Sequence, residues 1–228
     1  MMTALSRRAV AEFFGTMFLL AAIVGSGVMG QRLAGGNVAI ALLANSIAIG
    51  ATLVALILVL GPISGSHLNP VVTLADACIG GIAWRETPAY IIAQFTGAFA
   101  GVAVAHLMFG LPLFSASSHA RTGMGQVFSE FVATFGLLIV IWGTIRSKPS
   151  AVPIAVGTYI TAAYWFTAST SFANPAVTVA RSMTNTFAGI YPRDTTLFMA
   201  AQLFAMIAAL LFFKWFAKDT QQHHADGA

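Results

Sequence analysis

The chain has 228 residues, of which 58% are hydrophobic and only 8% are charged, and its formal net charge is +4. Soluble domains carry about 25% charged residues, so this composition excludes an ordinary soluble domain and indicates a protein that lies within a lipid bilayer. The small positive charge gives no reason to expect a nucleic-acid partner.

Six apolar stretches approach or exceed the length that a helix needs to cross the hydrocarbon core of a bilayer, which is ~20 residues. The fifth stretch is the least distinct, because Pro149 and Pro153 interrupt its start. We predict membrane crossings at residues 9–30, 38–60, 89–110, 124–145, 151–168 and 195–217.

Two short segments repeat each other, HLNPVVTLAD at 67–76 and FANPAVTVAR at 172–181. In each segment an asparagine, Asn69 or Asn174, is a favourable N-cap. The proline that follows is tolerated in the first helical turn, because its missing N–H would be unpaired there. Such a pair, in corresponding halves of one chain, indicates a transport site at the bilayer midplane. The predicted half-helices begin inside the membrane and lie near 70–80 and 175–187.

The repeat extends to the long helices, since Glu12 in the first crossing corresponds to Glu130 in the fourth, and Gln94 in the third to Gln202 in the sixth. Each half contains three crossings, an odd number, so the two halves lie in opposite orientations. We predict an all-α membrane protein with six transmembrane helices and two reentrant half-helices in an inverted repeat. It forms one domain over 1–228, with halves at about 9–110 and 124–217 and a polar cytoplasmic tail at 218–228.

The two glutamates need partners, because a carboxylate inside a membrane helix is costly. We expect Glu12 and Glu130 to accept hydrogen bonds from backbone N–H groups of the folded-in segment of their own half. Gln94 and Gln202 are expected to tie helices together. The alternative is a proton relay, but two symmetry-related carboxylates fit the structural role better.

The half-helices are expected to meet near the bilayer centre, with Asn69 and Asn174 facing each other. Non-helical backbone at this depth is tolerated only where it lines a wet cavity or is buried in protein. Each asparagine amide would donate a hydrogen bond into the pore, while the half-helix dipoles would oppose cations and protons. The predicted pore-lining carbonyl groups belong to Gly65, Ser66, His67, Ser171 and Phe172.

Two boxes of the Asn-Pro-Ala type in an inverted six-helix repeat, with glutamates inside the helices, resemble the aquaporin and aquaglyceroporin (major intrinsic protein) family. The resemblance covers about residues 9–217 and implies a homotetramer in which each subunit has its own pore. It implies no enzymatic activity, no cofactor and no bound metal. The boxes are Asn69, Pro70 and Val71, and Asn174, Pro175 and Ala176, and the first departs from the family pattern at Val71.

In this family, selectivity is set by four positions toward the outer mouth, one of which is an arginine three residues after the second asparagine. That position here is Val177, and fixed spacing assigns Ile49, Ala162 and Ser171 to the other three. The resulting ring is expected to be uncharged, and wider and more apolar than a water-selective filter. Arg181 is expected to anchor the end of the second half-helix, where a cation is favoured. The competing interpretation is that Arg181 draws solutes into the outer vestibule.

Two titratable residues flank the first half-helix. Asp76 lies at the negative end of that helix and is expected to have a partner, for which Arg85 is the candidate. His67 is expected to brace the loop before the helix, and the alternative is a pH-dependent gate. The single cysteine, Cys78, is expected to be a small buried side chain.

Within the family, Val177 and the sequence around the second box resemble bacterial channels associated with arsenic resistance. The resemblance implies a passive channel for small neutral solutes, with metalloid hydroxides such as arsenite favoured, then glycerol-like polyols, and some water. The first alternative is a water-selective aquaporin. A second, from another class, is an ion- or proton-coupled secondary transporter that uses Glu12 or Glu130.

The distribution of basic residues predicts the orientation in a bacterial inner membrane. Basic residues are enriched in cytoplasmic loops. The loops on the side of the chain termini contain Arg7, Arg8, Arg85, Arg146, Lys148, Lys214 and Lys218. The opposite side contains Arg32, Arg121, Arg181 and Arg193. We therefore predict that both termini are cytoplasmic.

Overall fold

The computed structural model describes residues 4–225, with side chains described up to residue 216. This part of the chain contains eight α-helices and no strand, which confirms the predicted fold class. The helices are α1 (Leu5–Leu33), α2 (Val38–Ser64), α3 (Pro70–Cys78), α4 (Thr87–Phe109), α5 (Met124–Ser147), α6 (Val152–Phe166), α7 (Pro175–Arg181) and α8 (Thr195–Ala225).

Five helices of the described chain are long and apolar enough to cross a membrane: α1, α2, α4, α5 and α8. The remaining crossing, α6, has 15 residues, which is ~23 Å at about 1.5 Å per residue. It is shorter than predicted because a 3₁₀ turn at Pro149–Ala151 precedes it and the backbone becomes extended at Thr167. Helix α8 continues through most of the predicted polar tail, of which residues 226–228 lie outside the described residues.

The half-helices α3 and α7 begin where the sequence predicts, but α7 ends at Arg181 and not near 187. Beyond Arg181 the chain turns, and the N–H of Ile190 donates back to the carbonyl oxygen of Arg181 at 3.3 Å. Thr184 in this segment contacts Nε2 of His106 through its hydroxyl group, at 2.6 Å. Hydroxyl side chains that bond outside the helix favour such turns over a continued helix.

Helices α1 and α4 cross closely because two glycines of α4, Gly97 and Gly101, lie against the backbone of α1. A Cβ atom at either glycine would overlap a carbonyl oxygen, that of Phe13 or that of Met17. Small residues spaced by four allow membrane helices to approach in this way. We use the term terminus side for the membrane side on which α1 begins, and far side for the opposite side.

Candidate functional site

The two asparagines cap the half-helices as predicted. Oδ1 of Asn69 accepts a hydrogen bond from the N–H of Val71 at 3.0 Å. Oδ1 of Asn174 accepts one from the N–H of Ala176, also at 3.0 Å. In both cases the side-chain oxygen satisfies a backbone donor that the first turn of a helix leaves free.

The amide nitrogens of the same asparagines join the two halves of the chain. Nδ2 of Asn69 donates to the carbonyl oxygen of Ala173 at 2.8 Å, and Nδ2 of Asn174 donates to that of Leu68 at 2.8 Å. Each amide has two N–H groups, so one remains on each asparagine. Both side chains line the central cavity, where the second N–H can meet a solute.

Glu12 holds the first folded-in segment. Its Oε1 accepts from the N–H of His67 at 3.0 Å and from the hydroxyl of Ser64 at 2.7 Å. Its Oε2 accepts from the N–H of Leu68 at 2.7 Å and from Nε2 of Gln94 at 2.8 Å. A buried carboxylate is tolerated when charge-assisted hydrogen bonds satisfy it in this way.

Glu130 makes the equivalent contacts in the second half. It accepts from the N–H groups of Phe172 and Ala173, both at 2.8 Å, and from Nε2 of Gln202 at 2.7 Å. Neither Glu130 nor Glu12 is among the described side chains that line the cavity. The contacts therefore match the predicted structural role and do not suggest a proton relay.

The folded-in segments contain backbone conformations that non-glycine residues rarely adopt. Ser66 and Leu68 have φ values of 50°, and Thr170, Ser171 and Ala173 have values of 61°, 51° and 46°. Such conformations persist only where the surrounding structure imposes them. Here the two glutamates bind the N–H groups of Leu68 and Ala173, and the hydroxyls of Ser64 and Ser169 bind those of Ser66 and Ser171.

A cavity of about 930 Å³ runs along the half-helix tips. At the terminus side it is lined by Arg8, Trp84 and Glu86, and toward the far side its described lining ends at Tyr164, Phe172 and Val177. The two glutamates, their glutamines, Ala162 and the other box residues, Pro70, Val71, Pro175 and Ala176, do not line this cavity, whereas nine of the predicted site residues do. These are Asn69, Asn174, Ile49, Val177, Gly65, Ser66, His67, Ser171 and Phe172.

The assignment of Ala162 to the selectivity ring is wrong, because this residue is exposed on the outer surface of α6. It shares that face with Ile154 and Phe166, which are 59% and 57% exposed. The cavity face of α6 carries Ile160 and Tyr164 instead. Two residues correspond to about 200° of rotation on a helix, so a small error in spacing reverses the face.

Tyr164 is the site residue that fixed spacing missed. It is buried and lines the cavity four residues after Ile160. Apolar residues at 152, 156 and 160 have the same spacing along α6 and also line the cavity. This spacing of four is the sequence signal from which the cavity face could have been found.

The described residues that line the far end of the cavity are uncharged, as the sequence predicts for the ring, but two arginines lie behind them. The guanidinium carbons of Arg181 and Arg121 lie 3.5 Å and 4.9 Å from the centroid of the Phe172 ring. Arg181 is 2% exposed and Arg121 is 9% exposed. No sequence spacing connects Arg121 with the second box, so its arrival at Phe172 could not be predicted.

Arg181 is anchored as predicted, through its own half of the chain. Its Nε donates to the carbonyl oxygen of Ala188, and its guanidinium is also a hydrogen-bond partner of the Tyr164 hydroxyl. The side chain is therefore buried and held in place by these two contacts.

Arg121 is held by backbone from two segments of the second half. Its Nε donates to the carbonyl oxygen of Gly189 at 2.9 Å, and its Nη1 donates to that of Ser169 at 3.1 Å. Burial, together with the nearby charge of Arg181, lowers the pKa of Arg121 to about 9. The group therefore remains positively charged at neutral pH.

The partner of Asp76 differs from the predicted one. Oδ2 of Asp76 lies 3.6 Å from Nε2 of His67, and no ion pair with Arg85 occurs among the residues that the structure describes. Nδ1 of His67 also lies 3.1 Å from the hydroxyl of Thr73. The His67 ring thus contacts two residues of the first half-helix, Thr73 and Asp76, as expected for a residue that braces the loop before it.

Comparison with known proteins identifies the family. The chain matches the family model "Major intrinsic protein" over residues 2–171. It is 54% identical over 211 residues to Aquaglyceroporin AqpS of Rhizobium meliloti (strain 1021), a match that covers 92% of this chain and 90% of that protein. It is 33% identical over 181 residues to Aquaporin NIP1-3 of Oryza sativa subsp. japonica, covering 76% of this chain and 62% of that protein.

The fold is shared with a solved structure, the aquaglyceroporin from Plasmodium falciparum, at a TM-score of 0.71 and 22% identity. That likeness covers 99% of this chain and 100% of the other. With the family match and the paired, capped half-helices, it shows that this chain is a multi-pass membrane channel of the major intrinsic protein family.

Proposed function

We propose that the protein is a passive channel for small neutral hydroxylated solutes, with metalloid hydroxides such as undissociated arsenous acid favoured, then glycerol-like polyols, and some water. The observation that carries the proposal is the cavity at the half-helix tips, which combines donors with an apolar wall. Asn69 and Asn174 offer N–H groups, while Ile49, Ile160 and Val177 are apolar. A compact solute with several hydroxyls can bond to one side and pack against the other.

We also propose roles for the lining residues. Asn69 and Asn174 donate hydrogen bonds to the passing oxygen atom, and the backbone carbonyls of Gly65, Ser66, His67, Ser171 and Phe172 accept hydrogen bonds from its hydroxyl groups. Ile49, Ser171 and Val177 belong to the selectivity ring, in which Tyr164 replaces Ala162. The name of the relative at 54% identity, an aquaglyceroporin, supports solutes larger than water.

Flux through purified protein in liposomes tests this function. Shrink–swell rates are measured with water and with glycerol, and arsenous acid uptake is followed by metal analysis. We expect glycerol and arsenous acid to enter far faster than in protein-free liposomes, at rates proportional to their concentration. Fast water flow with both solutes excluded would show a water-selective aquaporin.

The transporter alternative is tested in the same liposomes by imposing a membrane potential or a pH gradient. A passive channel for neutral solutes gives uptake that neither gradient changes. Uptake that collapses with the potential would overturn the proposal. The engagement of Glu12 and Glu130 by backbone donors favours the first outcome.

We further propose a homotetramer in the bacterial inner membrane, with both termini in the cytoplasm. Two of the basic residues on the far side, Arg121 and Arg181, are buried. Among the described basic residues that are not buried, the excess on the terminus side is therefore larger than in the sequence count, which supports this orientation. The tetramer is supported by family membership and is tested by the mass of the detergent-purified protein.

Cys78 provides a direct test of orientation, because it is the single cysteine of the chain and is exposed, contrary to expectation, at the end of α3 on the terminus side. A membrane-impermeant thiol reagent should label it in inside-out vesicles and not in spheroplasts. The matched control is the double variant Cys78→Ala and Ala116→Cys, which moves the thiol to an exposed loop on the far side. Labelling of Cys78 from outside would reverse the proposed orientation.

A further inference from the structure

The described lining of the cavity ends in a ring of Tyr164, Ser171, Phe172 and Val177, and the groups behind this ring are cationic. Arg181 and Arg121 both lie on the ring of Phe172, at 3.5 Å and 4.9 Å. An aromatic face attracts a guanidinium group, so one ring holds two like charges that would otherwise repel each other.

These two charges are not neutralised by direct contact with an acid. In the described part of the chain, the arginine–carboxylate ion pair is that of Arg8 with Glu86, and the contact of His67 with Asp76 also lies away from the far side. Glu130 attracts both guanidinium groups electrostatically, but its oxygens are bound by the backbone of the folded-in segment and by Gln202. The carboxylate of Asp194 accepts from the backbone N–H of Arg121 and from the hydroxyl of Thr122, so neither acid makes a direct ion pair with the two described guanidinium groups.

Two buried polar atoms at this end have no hydrogen-bond partner, Nη1 of Arg181 and Oγ of Ser171. A buried donor without a partner is costly and rare. Ser171 lines the cavity next to Phe172 in the chain, and the guanidinium carbon of Arg181 lies over the Phe172 ring. The two atoms thus mark a place where a molecule in the pore completes the hydrogen bonds.

We call the ring of Tyr164, Ser171, Phe172 and Val177 the far neck. We propose that Arg181 is its selectivity-determining residue, because Val177 has neither a charge nor a hydrogen-bond donor in its side chain. Its guanidinium donates to an oxygen of the passing solute together with Ser171 and the hydroxyl of Tyr164, and its charge repels cations and protons. Arg121 positions it by sharing Phe172. This inference rests on the proposed passive channel and names the residues that make its neck selective for neutral oxygen-rich solutes.

The charge is tested by Arg181→Met in liposomes loaded with a pH-sensitive dye, under an imposed potential. Removing a unit charge from a partly hydrated neck should raise the proton leak by roughly tenfold or more, while water permeability is retained. Arg181→Lys keeps the charge and should keep the leak low, but it loses the planar donor and should lower the glycerol-to-water flux ratio. Arg193→Met, an exposed arginine on the same side, is the matched control and should change neither.

An Arg181→Met variant that folds, with a leak and a flux ratio equal to those of the wild type, would overturn the inference. If that variant does not fold, Arg181→Lys and Ser171→Ala decide, and unchanged flux ratios in both would overturn it. The proton leak is measured without any solute. A wild-type protein that admits water but neither glycerol nor arsenous acid would therefore refute the proposed function and leave the result for Arg181 readable.

Discussion

Nδ2 of Asn69 donates a hydrogen bond to the carbonyl oxygen of Ala173, which lies 104 residues further along the chain. The side-chain oxygen of the same asparagine caps α3. One side chain therefore caps its own half-helix and also binds the other half of the repeat. A single amide thus couples the local structure of a half-helix to the width of the pore at the midplane.

Asn69→Asp separates the two roles of this amide. Aspartate keeps the capping oxygen but has no N–H for Ala173, whereas Asn69→Ala loses both. We expect Asn69→Ala to lose ~1 kcal/mol for the cap and ~1 kcal/mol for the link, and Asn69→Asp to retain the cap. Tryptophan-fluorescence melting in detergent measures stability, and liposome swelling measures flux. Gln31→Ala, which removes an exposed side-chain amide from α1, is the control, and equal melting of all variants would contradict the link.

Glu130→Ala should destabilise the protein severely. It removes the acceptor of the N–H groups of Phe172 and Ala173 and of Nε2 of Gln202. Each buried donor without a partner costs ~1–3 kcal/mol, so the expected loss is several kcal/mol. Glu130→Gln keeps one acceptor oxygen and should lose less. The order of melting temperatures in detergent checks the prediction, and an unchanged Glu130→Ala variant would show that the loop conformation does not depend on this carboxylate.

Tyr164→Ala should widen the far neck, because Tyr164 lines the cavity where its described lining ends. We expect glycerol flux to rise severalfold while water flux changes less. Ala162→Leu is the matched control, since that residue faces outward on the same helix and its substitution should leave both fluxes unchanged. Swelling rates decide between the two positions. A larger effect at 162 than at 164 would restore the assignment made by fixed spacing.

Val177→Arg should reduce flux, with glycerol affected more than water. Val177 is 3% exposed and lines the cavity, so a longer side chain enters the space through which solutes pass. A third guanidinium beside Arg181 and Arg121 also adds repulsion between like charges. Val177→Met has a similar length without the charge, and comparing the two variants separates size from charge. Unchanged glycerol flux in both would remove residue 177 from the selectivity ring.

Much of this fold could be predicted because the chain contains each key feature twice. Glu12 and Glu130, and Asn69 and Asn174, occupy corresponding positions, and their repetition indicates both the fold and the partners of the carboxylates. These residues lie in helices or directly before them, so the number of residues between corresponding positions indicates where each one lies in its half.

The features that could not be predicted lie where the repeat has no counterpart. Arg121 belongs to a connecting loop and reaches Phe172 through contacts with Gly189 and Ser169 that no spacing reveals. Ala162 was misplaced because counting back from the second box crosses non-helical backbone, where the rotation per residue of a helix does not apply. The contact of Asp76 with His67 could not be predicted either, because the loop that places His67 against α3 has backbone at positive φ on both sides of that residue.

The reciprocal bonds between the half-helix tips also constrain how the protein is made. Leu68 receives its partner from Asn174, 106 residues later, so the first reentrant turn cannot be completed while only the first half has left the ribosome. Until the second half has been made, the carbonyl oxygen of Leu68 lacks this donor. The reciprocal bonds that join the half-helix tips at the midplane therefore form only when both halves are present.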